Sequence, residues 1–282
     1  MPLDQATIRP IFRKLRSQLS DLATKPTPEN VHRFRTSSRR AEALLTDLAR
    51  KLSGNDKKLL KLLGRLRKKA GRVRDLDVQT AALRSLKIPQ EPVRKSQLLR
   101  ALAEERGGRE KKLVKTLDKK TIAELRRRLK RTARDLEIPK NVDPVAIAMG
   151  MIARLEVNQS GVTEETLHRF RIAGKRARYV AELAGKNPDA ASLAGQLRHM
   201  QDAIGDWHDW AQLQQRAEKQ FGGAQDSALV SALRNVTRAK FRLAVSTLTE
   251  TRSALVSKKL ASSTPMGHPH ARPGSAAPAA AA

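Results

Sequence analysis

Apolar residues recur at helical spacing almost throughout the chain, and no stretch alternates apolar and polar residues as a half-buried strand would. Leu, Ala, Lys, Arg, Glu and Gln dominate, and β-branched runs are missing. The pattern predicts an all-α protein. A first helix is expected over about 4–23, with Pro10 tolerated early or kinking it. Thr27-Pro28-Glu29 supplies an N-cap followed by Pro at the first helical position, and the helix it opens should end near Gly54. Asn55 or Asp56 can cap a third helix reaching about Leu86. Pro89 and Pro92 break the chain before a fourth helical region over about 93–136. Gly107-Gly108 should interrupt that region, with a second break near Lys119-Lys120. A linker, 138–143, precedes helices over about 144–159, 163–185, 189–220 and 225–259. The last stretch, 261–282, is rich in Pro, Gly, Ser and Ala, lacks apolar residues for a core, and should be disordered.

One of these helices is written twice. VHRFRTSSRRAEALL begins at Val31, and LHRFRIAGKRARYVAEL begins at Leu167, 136 positions later. His32 aligns with His168, Arg35 with Arg171, Arg39 with Lys175, and Arg40 with Arg176. A His and two cations at i, i+3 and i+7 share one face of a helix. Val31, Phe34, Ala41, Leu45 and Leu48 occupy a largely separate face. A solvated surface with Lys and Arg stems over apolar neighbours gives the same spacing. The second copy argues against that reading, because a repeated unit means the same structure was made twice. Gly71-Arg72-Val73-Arg74-Asp75 and Gly205-Asp206-Trp207-His208-Asp209 form a second internal match. Asp75 and Asp209 read better as partners that orient cations than as functional carboxylates, since a carboxylate repels an anionic ligand.

The third helix repeats the cationic device: Lys58, Lys61, Arg65, Lys69 and Arg72 share a face. At 1.5 Å per residue the row is roughly 20 Å long, which suits a linear polyanion better than a single phosphate. Arg13 shares a face of the first helix with Arg9 and Arg16. Arg126-Arg127-Arg128 to Arg134 is another dense basic segment.

Charge sharpens this picture. The formal net charge is +29, far more than solubility requires, and predicts a polyanionic partner. It is also lopsided. Residues 1–140 hold 39 Lys+Arg against 16 Asp+Glu, for +23, and the remainder hold 18 against 12, for +6. The first half should therefore contribute more to anion binding. Aromatic residues make up only 3% of the chain, which argues against recognition of single-stranded nucleic acid by base stacking. There is no Cys, hence no disulfide or thiolate metal site. No apolar leader is visible in 1–23, and no run approaches the roughly 18 apolar residues of a membrane span. A cytoplasmic protein is expected. His199, Asp202, Asp206 and Asp209 share a face and could offer a divalent metal oxygen and imidazole ligands. They do not fill the about six positions Mg²⁺ needs, and nearby cations could equally neutralise them. No phosphate-binding Gly-rich loop, zinc-protease motif or nucleophile elbow occurs.

The doubled H-x-x-R-x-x-x-R/K-R motif, and L-H-R-F-R-I-A-G-K-R-A-R-Y in particular, resembles the CHAD family of histidine-containing α-helical domains. The resemblance runs to about Lys259. It implies two pseudo-symmetric four-helix bundles, divided here at 1–137 and 144–260, around a basic groove or channel that binds inorganic polyphosphate. It implies a binding module without chemistry or cofactor of its own, in a stand-alone form found with polyphosphate granules. The residues expected at the ligand are His32, Arg35, Arg39, His168, Arg171, Lys175 and Arg178 from the two motifs. The third-helix row of Lys58, Lys61, Arg65, Lys69 and Arg72, with Arg13, completes the set. Nucleic acid is the secondary partner, and an accessory role beside a polyphosphate-metabolising enzyme is the other alternative.

Overall fold

The computed structural model describes residues 5–155, 161–185, 187–221 and 227–263. Among these the chain is all-helical, with nine α-helices: α1 (Gln5–Thr24), α2 (Pro28–Ala43), α3 (Gly54–Ser85), α4 (Pro92–Thr116), α5 (Lys119–Asp135), α6 (Pro144–Ala153), α7 (Glu164–Ala181), α8 (Pro188–Gln220) and α9 (Ala228–Ser263).

Local chemistry sets most of the boundaries. Thr27 caps α2 by accepting from the Asn30 amide at 3.2 Å, with Pro28 at the first helical position. Asp118, Asp143, Thr163 and Asn187 cap α5, α6, α7 and α8 in the same way. The cap of α3 is Ser53, two or three residues ahead of the predicted Asn55 or Asp56. Its hydroxyl accepts from the Asp56 amide while the Asp56 carboxylate takes the Ser53 amide, so Asp56 closes a capping box from within the helix. Regular α2 ends at Ala43, about ten residues before the predicted end near Gly54. One π-helical turn, Leu44–Leu48, follows, and all three of its leucines are buried.

Gly107-Gly108 does not interrupt α4. Both glycines have open space around them, and the helix continues to Thr116. The break falls at Leu117-Asp118, beside the second break expected near Lys119-Lys120; Asp118 starts α5, so the four predicted helical regions of the first half become five helices. Helix α6 stops at Ala153, short of the predicted residue 159, and 156–160 lie outside the described residues. The C-terminal helix runs on to Ser263, into the stretch expected to be disordered, and the rest of that stretch also lies outside them.

The main core runs without interruption through both halves. It joins Phe12, Leu15 and Leu19 of α1, Val31 and Phe34 of α2, and Leu59, Leu63 and Leu66 of α3 to Phe170 of α7, and to Leu197 and Ile204 of α8. A second cluster lies at the far ends of the long helices and contains Leu83, Leu98, Leu102, Leu213 and Leu233. Helix α2 packs against α7, and α3 against α8. Two ion pairs cross the α2–α7 contact in opposite directions. Arg40 reaches Glu182 at 2.8 Å, and Arg176, its partner in the sequence repeat, reaches Asp47 at 2.9 Å. Glu182 also faces Arg178 at 3.5 Å and Arg198 at 3.7 Å, so a single carboxylate ties α2, α7 and α8 together.

Candidate anion-binding cleft

The α2–α7 and α3–α8 contacts leave a cleft of about 530 Å³ between the halves. Helix α2 contributes His32, Arg35 and Arg39, and α7 contributes Arg171, Lys175 and Arg178. Arg74 and Asp75 come from α3, and Arg198, Gln201, Asp202, Asp206 and Asp209 from α8. The cations at i+3 and i+7 of the two repeated motifs thus look into one space. Seven Lys/Arg line it against four Asp, a formal balance of +3.

Arg178 and Arg198 share Glu182, but most of the other cations lack an acidic partner. Among the described residues, Arg35, Arg74, Arg171 and Lys175 form no ion pair, and Arg39 has only Glu42 at 4.0 Å. The Arg171 Nε is buried with no hydrogen-bond partner. Half-buried unpaired charges cost stability. The shifted pKa values of the groups in the cleft follow from the same burial and crowding. Burial, reinforced by Arg171 and Arg39, pushes Lys175 down to about 7. Burial and then Arg74 hold His32 below its usual value. Burial also lifts Asp209 to about 6 despite the cations beside it. His208 is pushed down to about 4 by burial, then by Arg171 and Lys175.

Two glycines permit the close packing. A Cβ on Gly71 of α3 would stand 2.3 Å from Arg35 Nη1, so the bare backbone there is the channel through which Arg35 enters. The guanidinium continues to the Arg67 carbonyl at 3.5 Å. On α7 a Cβ at Gly174 would stand 2.5 Å from Met200 Cε, and the Gly174 carbonyl accepts from Gln201 Nε2 at 2.7 Å. Gly205, the sequence match of Gly71, has open space instead. That second internal match therefore preserves residues and not packing.

Six of the predicted ligand residues meet here: His32, Arg35, Arg39, Arg171, Lys175 and Arg178. His168 does not line the cleft. It is exposed, with its ring 6.4 Å from that of His208. The third-helix row lies elsewhere. Arg67, Gly71, Arg74, Asp75 and Val78 define the cleft side of α3, and Lys58, Lys61, Arg65 and Arg72 fall on the opposite side, exposed. Lys69 is tied to Thr116 of α4 and so serves packing. Arg13 lies in a separate groove between α1 and α5. Asp75 and Asp209 sit among the cleft cations, where they temper charge without forming ion pairs. Asp206 faces the cleft too but pairs with Lys240 of α9 at 2.7 Å. Among the described residues no three His, Asp or Glu side chains converge on a metal-sized position, and His199 is not part of the cleft. The sequence reading missed Arg74, Arg198 and Gln201. Arg74 could have been found from the i, i+4, i+7 run Arg67-Gly71-Arg74, which a richer charge row on the other face obscured.

The sequence matches the family model of the CHAD domain over residues 6–218. The chain belongs to the CHAD domain family. The CHAD match ends inside α8, and similarity of structure extends beyond it. The crystal structure of the CHAD domain from the plant Ricinus communis superposes with a TM-score of 0.62 at 18% identity, covering 90% of each chain. PptA from Streptomyces chartreusis superposes with a TM-score of 0.58 at 15% identity, covering 90% of this chain and 100% of that one. At such identities the likeness establishes the CHAD fold alone. No curated protein matches the sequence.

Proposed function

We propose that this CHAD protein binds inorganic polyphosphate in the cleft between its halves and performs no chemistry on it. The observation that carries the reading is the set of unpaired, half-buried cations, Arg35, Arg74, Arg171 and Lys175, contributed by both halves to one space. A fold keeps such charges when a ligand supplies the missing anions. Planar guanidinium groups can each donate two hydrogen bonds to one phosphate. Phosphate along a linear chain repeats the anion at short intervals, matching cations spread over four helices. Within the cell this reading places the protein at polyphosphate granules, and among the described residues no helix is long and apolar enough to cross a membrane.

The exposed row on α3, Lys58, Lys61, Arg65 and Arg72, is open to any polyanion and is the observation that favours duplex nucleic acid as a second ligand. Competition at matched phosphate and salt separates the two. Long-chain polyphosphate should displace duplex DNA, with affinity falling steeply as salt rises through counterion release. DNA binding at least as tight as polyphosphate at physiological ionic strength would refute the assignment. Release of orthophosphate from polyphosphate by the purified protein would refute the non-catalytic part alone.

A further inference from the structure

A second basic groove lies on the outer side of the first half, and its residues are distinct from those of the cleft. It runs between α1 and α5, has a volume of about 520 Å³, and is lined by Arg13, Arg16, Arg126, Arg127 and Lys130 with the hydroxyls of Ser17 and Ser20. It extends along α1 past Phe12 and Leu129 to Arg9. Arg9 to Ser20 is eleven residues of one helix, roughly 16 Å of groove.

Three features mark this groove as a binding site rather than a charged exterior. First, no carboxylate lines it, whereas the cleft between the halves holds four. Second, its cations are largely unsatisfied. Arg127 pairs with Glu124 at 2.7 Å and Arg126 donates to Ser20 Oγ at 2.7 Å, but Arg13, Arg16 and Lys130 form no ion pair among the described residues. Arg9, Arg13 and Arg16 stand at i, i+4 and i+7 on α1, a like-charge spacing that destabilises a helix unless an anion answers it. Third, the groove is not a by-product of the architecture. Helix α6, which opens the second half as α1 opens the first, carries no charged residue between Pro144 and Ala153.

We propose that the α1–α5 groove is a second site for the phosphate chain. One molecule then grips two polyphosphate segments and bridges them. The ligand class rests on the reading of the cleft between the halves, but the site itself does not. Both are rows of cations spaced along helices, yet the outer groove is open and free of carboxylates. It should therefore tolerate any stretch of chain and bind it more weakly and with greater sensitivity to salt.

The test uses the full chain, pentapolyphosphate as a probe too short to serve two sites, and long-chain polyphosphate. Three proteins are compared by calorimetry and light scattering: the parent, R13A/R16A/K130A, and R171M/K175M. The parent should bind two equivalents of the short probe and cross-link long chains into large particles. R13A/R16A/K130A should retain one equivalent and lose the particles, and R171M/K175M should lose the tighter equivalent and keep the weaker. A parent that binds one equivalent, lost only in R171M/K175M, overturns this proposal and leaves the function of the cleft intact. A single equivalent lost only in R13A/R16A/K130A overturns the cleft assignment and leaves the groove as the site. The groove residues replaced are at the surface, and removing like charges from α1 favours folding, so lost binding would not reflect a collapsed protein.

Discussion

Lys175 offers the sharpest handle on the cleft, because its charge is conditional. In the free protein its pKa is pushed down to about 7 by burial and then by Arg171 and Arg39. A phosphate oxygen beside the ammonium would restore a pKa near the ordinary value of about 10.4. Binding then takes up a proton wherever the free side chain is neutral. Below about pH 6 Lys175 is already charged and adds no pH dependence. Above its free pKa, affinity must fall tenfold per unit, so the loss from about pH 6 to about pH 8.5 is about 30-fold. Asp209, raised to about 6, acts in the same direction by gaining negative charge at the lower end of that range. His32, held low by burial and Arg74, also binds an anion better once protonated. His208, at about 4, stays neutral throughout. The perturbation is Lys175→Arg, whose guanidinium stays charged at every pH in the range. Calorimetric affinities for polyphosphate at constant ionic strength should show the steep upper limb in the parent and lose it in the variant. The shallower dependence due to Asp209 should survive. Parallel profiles for the two proteins would refute the placement of Lys175 at the ligand. Stability without ligand has the opposite sign. Between about pH 7 and about pH 10 the unfolded lysine holds a proton that the folded one has shed, so the free protein should grow more stable as pH rises through that window.

Other consequences follow from the packing. Gly71→Ala places a methyl where Arg35 Nη1 passes 2.3 Å away, so Arg35 must move; affinity should drop several-fold while the melting temperature holds or rises, since Ala is worth about 1 kcal/mol over Gly inside a helix. Glu182→Gln removes the shared partner of Arg40, Arg178 and Arg198; a loss of about 2 kcal/mol, seen as a melting point several degrees lower, is expected for breaking a largely buried ion network. K61A/R65A, on the outward face of α3, should cost less than about threefold in affinity and leave the salt slope nearly unchanged.

The all-helical fold was legible because helical periodicity and local caps are short-range signals. Thr27-Pro28 and Asp143-Pro144 announce their helices without help from the rest of the chain. The end of α2 was not legible, because its final turn widens into a π-helix that buries Leu44, Leu45 and Leu48, a tertiary demand on an unremarkable sequence. Gly107-Gly108 misled for the converse reason: with nothing packed on them, the glycines carry only their intrinsic propensity cost, and the helix absorbs it. The doubled motif located six of the cleft residues, since one face of α2 and one face of α7 had to look the same way. Charge density then pointed to the side of α3 that faces away from the cleft. Lys58, Lys61 and Arg65 are more numerous than the cleft-facing Arg74, but only packing against α2 and α8 decides which side faces the cleft. Arg198 and Gln201 could not be found from spacing at all, because they join the site through the packing of α8 on α7.

The central claim is that the cleft holds unpaired cations at a cost in stability for the sake of a polyphosphate ligand. Replacing Arg35 and Arg171 by Met, one from each half, separates that claim from a structural role. Affinity for long-chain polyphosphate and the melting temperature of the ligand-free protein are measured together for parent and R35M/R171M. Two charge-assisted contacts at about 1.5–3 kcal/mol each predict a loss of about a hundredfold or more in affinity. The melting temperature should stay level or rise, because two half-buried unpaired charges are gone. Unchanged affinity, or a melting temperature that falls in step with affinity, would contradict the account.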